Sequence, residues 1–445
     1  MKRILVIGAG LSSSSLIEYL KKNAVREDWN IVVGDLSLEL AQSKVEDCER
    51  ATAIHFDVTN DIQRLNEVSR SDFVISMLPA HMHVKVASDC VGLRKHMVTA
   101  SYVSPEMREL DEEAKKANVI LMNEIGVDPG IDHLSAMRVL DEIRDAGGEI
   151  EAFETFTGGL VAPESDNNPW NYKFTWNPRN VVLAGQGIVK FIQEGCYKYI
   201  PYHRLFRRVE MLEIEGYGKF EGYANRDSLS YREIYNLQDV KTMYRGTLRR
   251  PGFCRAWNVF VQLGATNDSY VMENSETMTH REFINSFLLY NPSDSVELKL
   301  QHYLGIYQDD VALWEKLEWL GIFEDTPLGI PNATPAQALQ CILEKKWKLD
   351  PGDKDMIVML HKFIYQLDGK RYEINSSMVT KGENQVHTAM ARTVGLPVAI
   401  VSRLILNETI TTPGVHIPIY KEIYEPVLKE LNENGIYFTE KKMEL

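Results

Sequence analysis

The chain has 445 residues, longer than one hydrophobic core usually serves, so two or three domains are expected. Its 44% hydrophobic and 25% charged residues are ordinary for a soluble globular protein. A formal net charge of −14 argues against a nucleic-acid partner, whose phosphates are met by clustered Lys and Arg.

The chain opens on an apolar strand, a Gly8-Ala9-Gly10 turn, a helix beginning near Leu11, and a second apolar strand ending in Asp35. This order predicts a dinucleotide-binding βαβ unit. A turn without side chains lets a pyrophosphate reach the backbone, and the helix start points unpaired N–H groups at that charge. An acid roughly 20 residues beyond the glycines sits where a ribose 2′-OH arrives. Asp35 would accept ribose hydroxyls and repel a 2′-phosphate, which favours NAD while leaving NADP possible. The third glycine of the fingerprint is Ser13.

The run from Lys2 to Ala9 is cut by Gly8 and followed by four serines, where a signal peptide would stay apolar, and no uninterrupted apolar run approaches a bilayer span. No membrane partner and a cytoplasmic location are therefore expected. Strand-like runs at 53–58, 72–78, 96–101 and 119–123 alternate with amphipathic helical stretches and predict a doubly wound parallel sheet. Ligands of such sheets bind beyond the carboxyl ends of the strands, which singles out Asp57, Val58, Leu78, Pro79, Ala100, Ser101, Tyr102 and the stretch 124–129. Within this part, His81-Met82-His83 has no third ligand nearby and reads as a polar helix start.

Gly147-Gly148 ends a helix, and a second, substrate-facing domain is expected from about residue 150. Segments 212–214, 219–223 and 240–248 read as strands of a mixed sheet, with a helix at 252–263. From 279 to 361 the sequence is helical and charged, with Trp314, Trp319 and Trp347 spaced as core anchors, and reads as an inserted helical domain. Asp368-Gly369 between 363–367 and 371–374 predicts a hairpin. A long helix at 385–407 should break or kink at Gly395-Leu396-Pro397, and a final helix at 419–432 should pack on the nucleotide domain. The expected organisation is α/β: a Rossmann doubly wound parallel-sheet domain (1–130 plus 400–445), a second α/β substrate domain with a mixed sheet (131–278 plus 362–399), and the inserted helical domain (279–361). The five cysteines, Cys48, Cys90, Cys196, Cys254 and Cys341, are far apart and lack a C-x-x-C pair, so reduced packing residues and no metal are expected.

Six motifs in order carry a family resemblance: TASYVSP (99–105), NEIGVDPGIDH (123–133), TGGL (157–160), PESDNNPWNYKFTW (163–176), NRDS (225–228) and RGTLRRPGF (245–253). With GVHIPIYKEIYEPVL (414–428), the chain resembles saccharopine dehydrogenase of the glutamate-forming type, or saccharopine reductase, over nearly its whole length. The resemblance implies a three-part fold in which a nucleotide domain closes over a substrate domain carrying a helical insertion. It also implies NAD(P)-dependent oxidation of saccharopine through an imine to glutamate and 2-aminoadipate semialdehyde, or the reverse, in lysine metabolism.

Carried over residue by residue, the resemblance places Gly10, Leu11, Ser12 and Ser13, beside Gly8, at the pyrophosphate, and Gly34, Asp35 and Leu36 at the adenosine ribose. Asp57, Val58, Leu78, Ala100, Ser101, Val127, Asp128, Pro129 and Thr175 complete the cofactor set. Arg226, Thr247, Leu248 and Arg249, joined by Ser101, Tyr102 and Asp128, match the substrate contacts, and a tricarboxylic amine needs such guanidinium forks. Asp128 and Tyr102 are the acid–base candidates. Asp128 could instead cap the helix that follows Pro129. His133 reads as a satisfied polar neighbour. Known members of the family use NADPH and carry an arginine at the position of Leu36, whose absence here predicts a shift towards NAD. A cysteine of some relatives corresponds to Thr157, so any role requiring sulfur is lost there. A homodimer is the default expectation. Two other readings stay open: an imine reductase of polyamine synthesis, of the carboxynorspermidine dehydrogenase type, and a non-catalytic NAD-sensing protein.

Overall fold

The computed structural model describes residues 1–305 and 310–445. The described chain forms two compact units, residues 1–149 with 378–439, and residues 150–377 with 440–445.

In the first unit, β1 (Lys2–Ile7), β2 (Trp29–Asp35), β3 (Ala51–His55), β4 (Phe73–Ser76), β5 (His96–Val98), β6 (Ile120–Met122) and β15 (Gly414–His416) form one sheet in the order β3-β2-β1-β4-β5-β6-β15. Every pairing is parallel. Near-continuous apolar runs such as Ile4-Leu5-Val6-Ile7, fully buried, are what a parallel sheet covered on both faces requires. Strand order reverses at β1, where Ile7 stands beside Gly34 of β2 on one side and Ser76 of β4 on the other. That reversal opens the crevice in which doubly wound sheets bind ligands. Cys90 lies in the core beside Val74, Val86 and Met97, and all five cysteines are free thiols.

The remaining strands are β7 (Glu149–Val161), β8 (Ile188–Gln193), β9 (Cys196–Pro201), β10 (Val209–Ile214), β11 (Gly218–Ala224), β12 (Thr242–Arg249), β13 (Asp355–Leu367), β14 (Lys370–Lys381) and β16 (Thr439–Glu444). They form a second, mixed sheet in the order β10-β11-β12-β7-β13-β14-β16, with β8 on β12 and β9 on β8. β7 and β12 run parallel, while β11 is antiparallel to both β10 and β12. The hairpin turns at Asp368 and Gly369, both at positive φ, with strands longer than expected.

Several boundaries differ from expectation. Residues 131–149 belong to the first unit, because helix Ile131–Asp145 buries its apolar positions there and packs against helix Lys421–Glu433. Residues 378–399 join them, and 440–445 return to the second sheet as β16. The stretch 279–361 is not a unit of its own. Trp347 is fully buried in one aromatic cluster with Trp170, Tyr172 and Trp257, and β13 already begins at Asp355.

Helix Ala389–Leu406 runs through Pro397 without the expected break. A Cβ at Gly395 would stand 2.7 Å from the Leu16 backbone nitrogen, so the glycine lets this helix close on helix Ser14–Asn23. The close approach for which the fingerprint usually keeps a third glycine is thus served from the facing helix. Helix Ala389–Leu406 is long and apolar enough in composition to cross a membrane, and 78% of it is buried within the fold.

Candidate active site

The glycine turn sits at the end of β1. Gly8 has φ +103°, donates its N–H to Gly34 O at 2.8 Å, and has no room for a Cβ, which would meet Met77 O at 2.7 Å. Gly10 leads into the short helical turn Leu11–Ser13, and a Cβ there would meet nothing within 4 Å. The backbone at Gly10 therefore faces open space, as a pyrophosphate needs. Ser13, buried, donates its hydroxyl to Gly10 O at 2.8 Å and secures the turn. Asp35 is bound on both sides: Oδ2 accepts the Ala9 N–H at 2.8 Å and Oδ1 the Ser37 N–H at 2.9 Å. Leu36 beside it is 65% exposed, while Gly34 is required by contact with Phe56, which a Cβ would meet at 2.8 Å. These residues fit a dinucleotide.

Asp57 follows β3, and hydrogen bonds from the Thr59 hydroxyl and N–H hold its carboxyl below the usual range. Val58 is buried in the core of the first unit, and Leu78 packs against it partly buried.

Two loops beyond β5 and β6 are braced together. Glu124, at φ +54°, donates its N–H to Ser101 O at 3.0 Å, and its Oε1 accepts the Val103 N–H at 3.0 Å. Its Oε2 lies 2.9 Å from Nε2 of the fully buried His133. On the other side His83 meets Ser101 Oγ at 2.7 Å. Tyr102 stands between these braces, and its hydroxyl points to Asp128 Oδ1 at 3.4 Å. Asp128 rides the loop 126–130, closed by Gly126 N–H to Pro129 O at 2.8 Å. The N-cap of helix Ile131–Asp145 is Gly130, whose N–H is taken by Asp132 Oδ1. Ala100, Ser101, Tyr102, Val127, Asp128 and Pro129 are thus brought together by two loops. His133 is the satisfied polar neighbour expected, Glu124 lies in the stretch 124–129 singled out above, and His83 is the member that sequence reasoning missed.

In the second unit, Thr247 and Arg249 alternate along β12, Thr247 between Thr157 of β7 and Tyr223 of β11, and Arg249 beside Glu221 of β11. Arg249 is 4% exposed. Its guanidinium lies over the rings of Tyr172 (5.1 Å) and Phe253 (5.3 Å), and Nη1 donates to Leu248 O at 2.8 Å. Its Nε has no partner, and among the described residues no carboxylate pairs with it. Glu221, opposite Arg249 on β11, is already committed: its oxygens accept the N–H groups of Gly252 (2.7 Å) and Cys254 (2.9 Å). Burial and that carboxylate push the Cys254 thiol well up. Thr175 Oγ1 is a second buried polar atom without a partner.

Leu248 departs from its expected role. Strand alternation turns its side chain away from Thr247 and Arg249 into the core, fully buried, and its carbonyl is held by Arg249. Arg226 occupies a turn at φ +51° after β11 and is exposed. Arg245, overlooked in the sequence, is buried over the Tyr231 ring at 4.6 Å. Its spacing two and four residues before Thr247 and Arg249 was the available signal.

A parallel sheet that reverses at a glycine turn, with an acid at the end of the next strand, defines the class of Rossmann dinucleotide-binding proteins. Residues 4–122 match the family model for the saccharopine dehydrogenase NADP binding domain, and residues 126–436 that for the saccharopine dehydrogenase C-terminal domain. The chain is 34% identical over 448 residues to saccharopine dehydrogenase [NADP(+), L-glutamate-forming] of Schizosaccharomyces pombe, covering 99% of each. The solved apo saccharopine dehydrogenase (L-Glu forming) of Saccharomyces cerevisiae superposes with a TM-score of 0.91 at 32% identity, covering 100% of each chain. A homospermidine synthase from Legionella pneumophila in complex with NAD shares the fold alone, with a TM-score of 0.56 at 10% identity over 99% of this chain and 91% of that one. The chain belongs to the saccharopine dehydrogenase family.

Proposed function

We propose that the protein is a glutamate-forming saccharopine dehydrogenase. Saccharopine, a dinucleotide in its oxidised form and water give glutamate, 2-aminoadipate semialdehyde, the reduced dinucleotide and a proton. When bound, the dinucleotide supplies the hydride acceptor. Arg249 carries this reading, as a buried guanidinium whose Nε has no partner and which no carboxylate among the described residues neutralises. A buried cation without a partner is costly unless a ligand completes it, and saccharopine brings three carboxylates. Asp128, steadied by Tyr102, is the group that takes or returns the proton at the substrate nitrogen.

Asp35 and Leu36 favour NAD over NADP. The relatives' names carry NADP(+), yet residues 36–40 of this chain are Leu, Ser, Leu, Glu and Leu, with no cation to meet a 2′-phosphate. Steady-state assays with saccharopine and each coenzyme test both points. The expected kcat/KM with NAD exceeds that with NADP by at least about tenfold, or ~1.4 kcal/mol, and Leu36→Arg narrows the gap. Equal efficiency would remove the coenzyme reading. Reduction of a polyamine imine with no saccharopine turnover would favour the polyamine branch instead.

A further inference from the structure

His83 is 2% exposed and lies where β4 and β5 end. Its Nδ1 meets Ser76 Oγ at 2.8 Å, its Nε2 meets Ser101 Oγ at 2.7 Å, and Thr99 Oγ1 stands 3.4 Å from Nε2. We propose that His83 is a positioning residue that acts through Ser101, fixing the direction of that hydroxyl at the carboxyl edge of the sheet. The proposal rests on the saccharopine reading only for its choice of substrate.

The reasoning starts from the protonation state. Burial, with His81 nearby, pushes the imidazolium pKa down to about 4, so the ring is neutral at pH 7. A neutral imidazole has one N–H and one lone pair. The groups around the ring are the Ser76, Thr99 and Ser101 hydroxyls and the Leu78 carbonyl, all uncharged, with His81 the nearest titratable side chain. Whichever nitrogen carries the proton, Ser101 must take the complementary role towards Nε2, and its remaining hydrogen-bonding capacity is turned to the crevice. An unrestrained serine hydroxyl would rotate among three wells. Ser76 is fully buried and holds the far side of the ring, so the imidazole cannot swing away.

Glutamine and asparagine separate this role from simple packing. The glutamine carboxamide nitrogen reaches the place of Nε2 and can still meet Ser101, whereas that of asparagine reaches only the place of Nδ1 and Ser76. The expected result is that His83→Gln keeps kcat/KM for saccharopine within about threefold, while His83→Asn and Ser101→Ala each lose roughly ten- to hundredfold. The double variant His83→Asn with Ser101→Ala should lose no more than either alone, because the two act as one unit. The same cycle is read on the Kd for NADH by fluorescence, so a wild-type protein that fails to turn over saccharopine counts against the proposed function and leaves this test intact. Should His83→Asn melt early, Ser76→Ala takes its place in the cycle: it releases the far side of the ring and should lose about three- to tenfold, a loss that Ser101→Ala abolishes. Additive losses in the cycle, or His83→Gln falling as far as His83→Asn, would overturn the proposal.

Discussion

Replacing Arg249 by methionine should lower kcat/KM for saccharopine by roughly a thousandfold while leaving the melting temperature unchanged or raised. The two halves of this expectation have one cause. Removing one member of a buried charge pair typically costs 2–5 kcal/mol in binding, and here the other member is a substrate carboxylate. In the free protein the same guanidinium is buried with its Nε unfilled and no carboxylate among the described residues paired with it. Its desolvation then weighs against folding, and a side chain of similar length without charge relieves that cost. The stacking over Tyr172 and Phe253 and the bond to Leu248 O offset part of it. Calorimetry on the variant, set beside its steady-state kinetics, checks both halves. A large fall in melting temperature with saccharopine turnover intact would assign Arg249 to the fold instead of the substrate.

Asp128→Asn should reduce kcat by about 10² to 10⁴ while the coenzyme Kd stays within about threefold. Asparagine matches the carboxylate in shape and still accepts the Tyr102 hydroxyl, but it cannot take a proton at neutral pH. The loop that carries it is held by the Gly126 N–H to Pro129 O and the Gly130 N–H to Asp132 Oδ1, which the substitution leaves in place. Tyr102→Phe removes only the orienting hydroxyl and should cost less, about tenfold. Single-turnover absorbance of the reduced coenzyme gives the chemical step, and fluorescence titration gives the Kd. A variant with unimpaired kcat would mean that another group handles the proton.

The nucleotide half was legible because its signals are local. A glycine turn after an apolar strand and an acid at the end of the next strand need only chain order and period to be read, and the structure joins them through Asp35 to Ala9. The hairpin at Asp368-Gly369 was legible for the same reason. What escaped depends on contacts between distant segments. His83 meets Ser101 across a strand connection, and Glu124, in the stretch 124–129 that was singled out, ties Val103 to His133 through bonds that chain order does not reveal. The facing of Leu248 was not legible because a motif carries none, whereas strand alternation does. The unbroken helix through Pro397 reflects tertiary support from the helix that follows the glycine turn, admitted by Gly395. The division at residue 149, in place of 130, follows from where helix Ile131–Asp145 finds its apolar neighbours, which its own pattern does not reveal.

A crystal structure of the protein with saccharopine and NAD tests the account most directly. The account predicts a saccharopine carboxylate within about 3 Å of Arg249 Nε, filling the donor that the protein leaves open. Saccharopine bound with every carboxylate held elsewhere, and Arg249 Nε still without an acceptor, would contradict it.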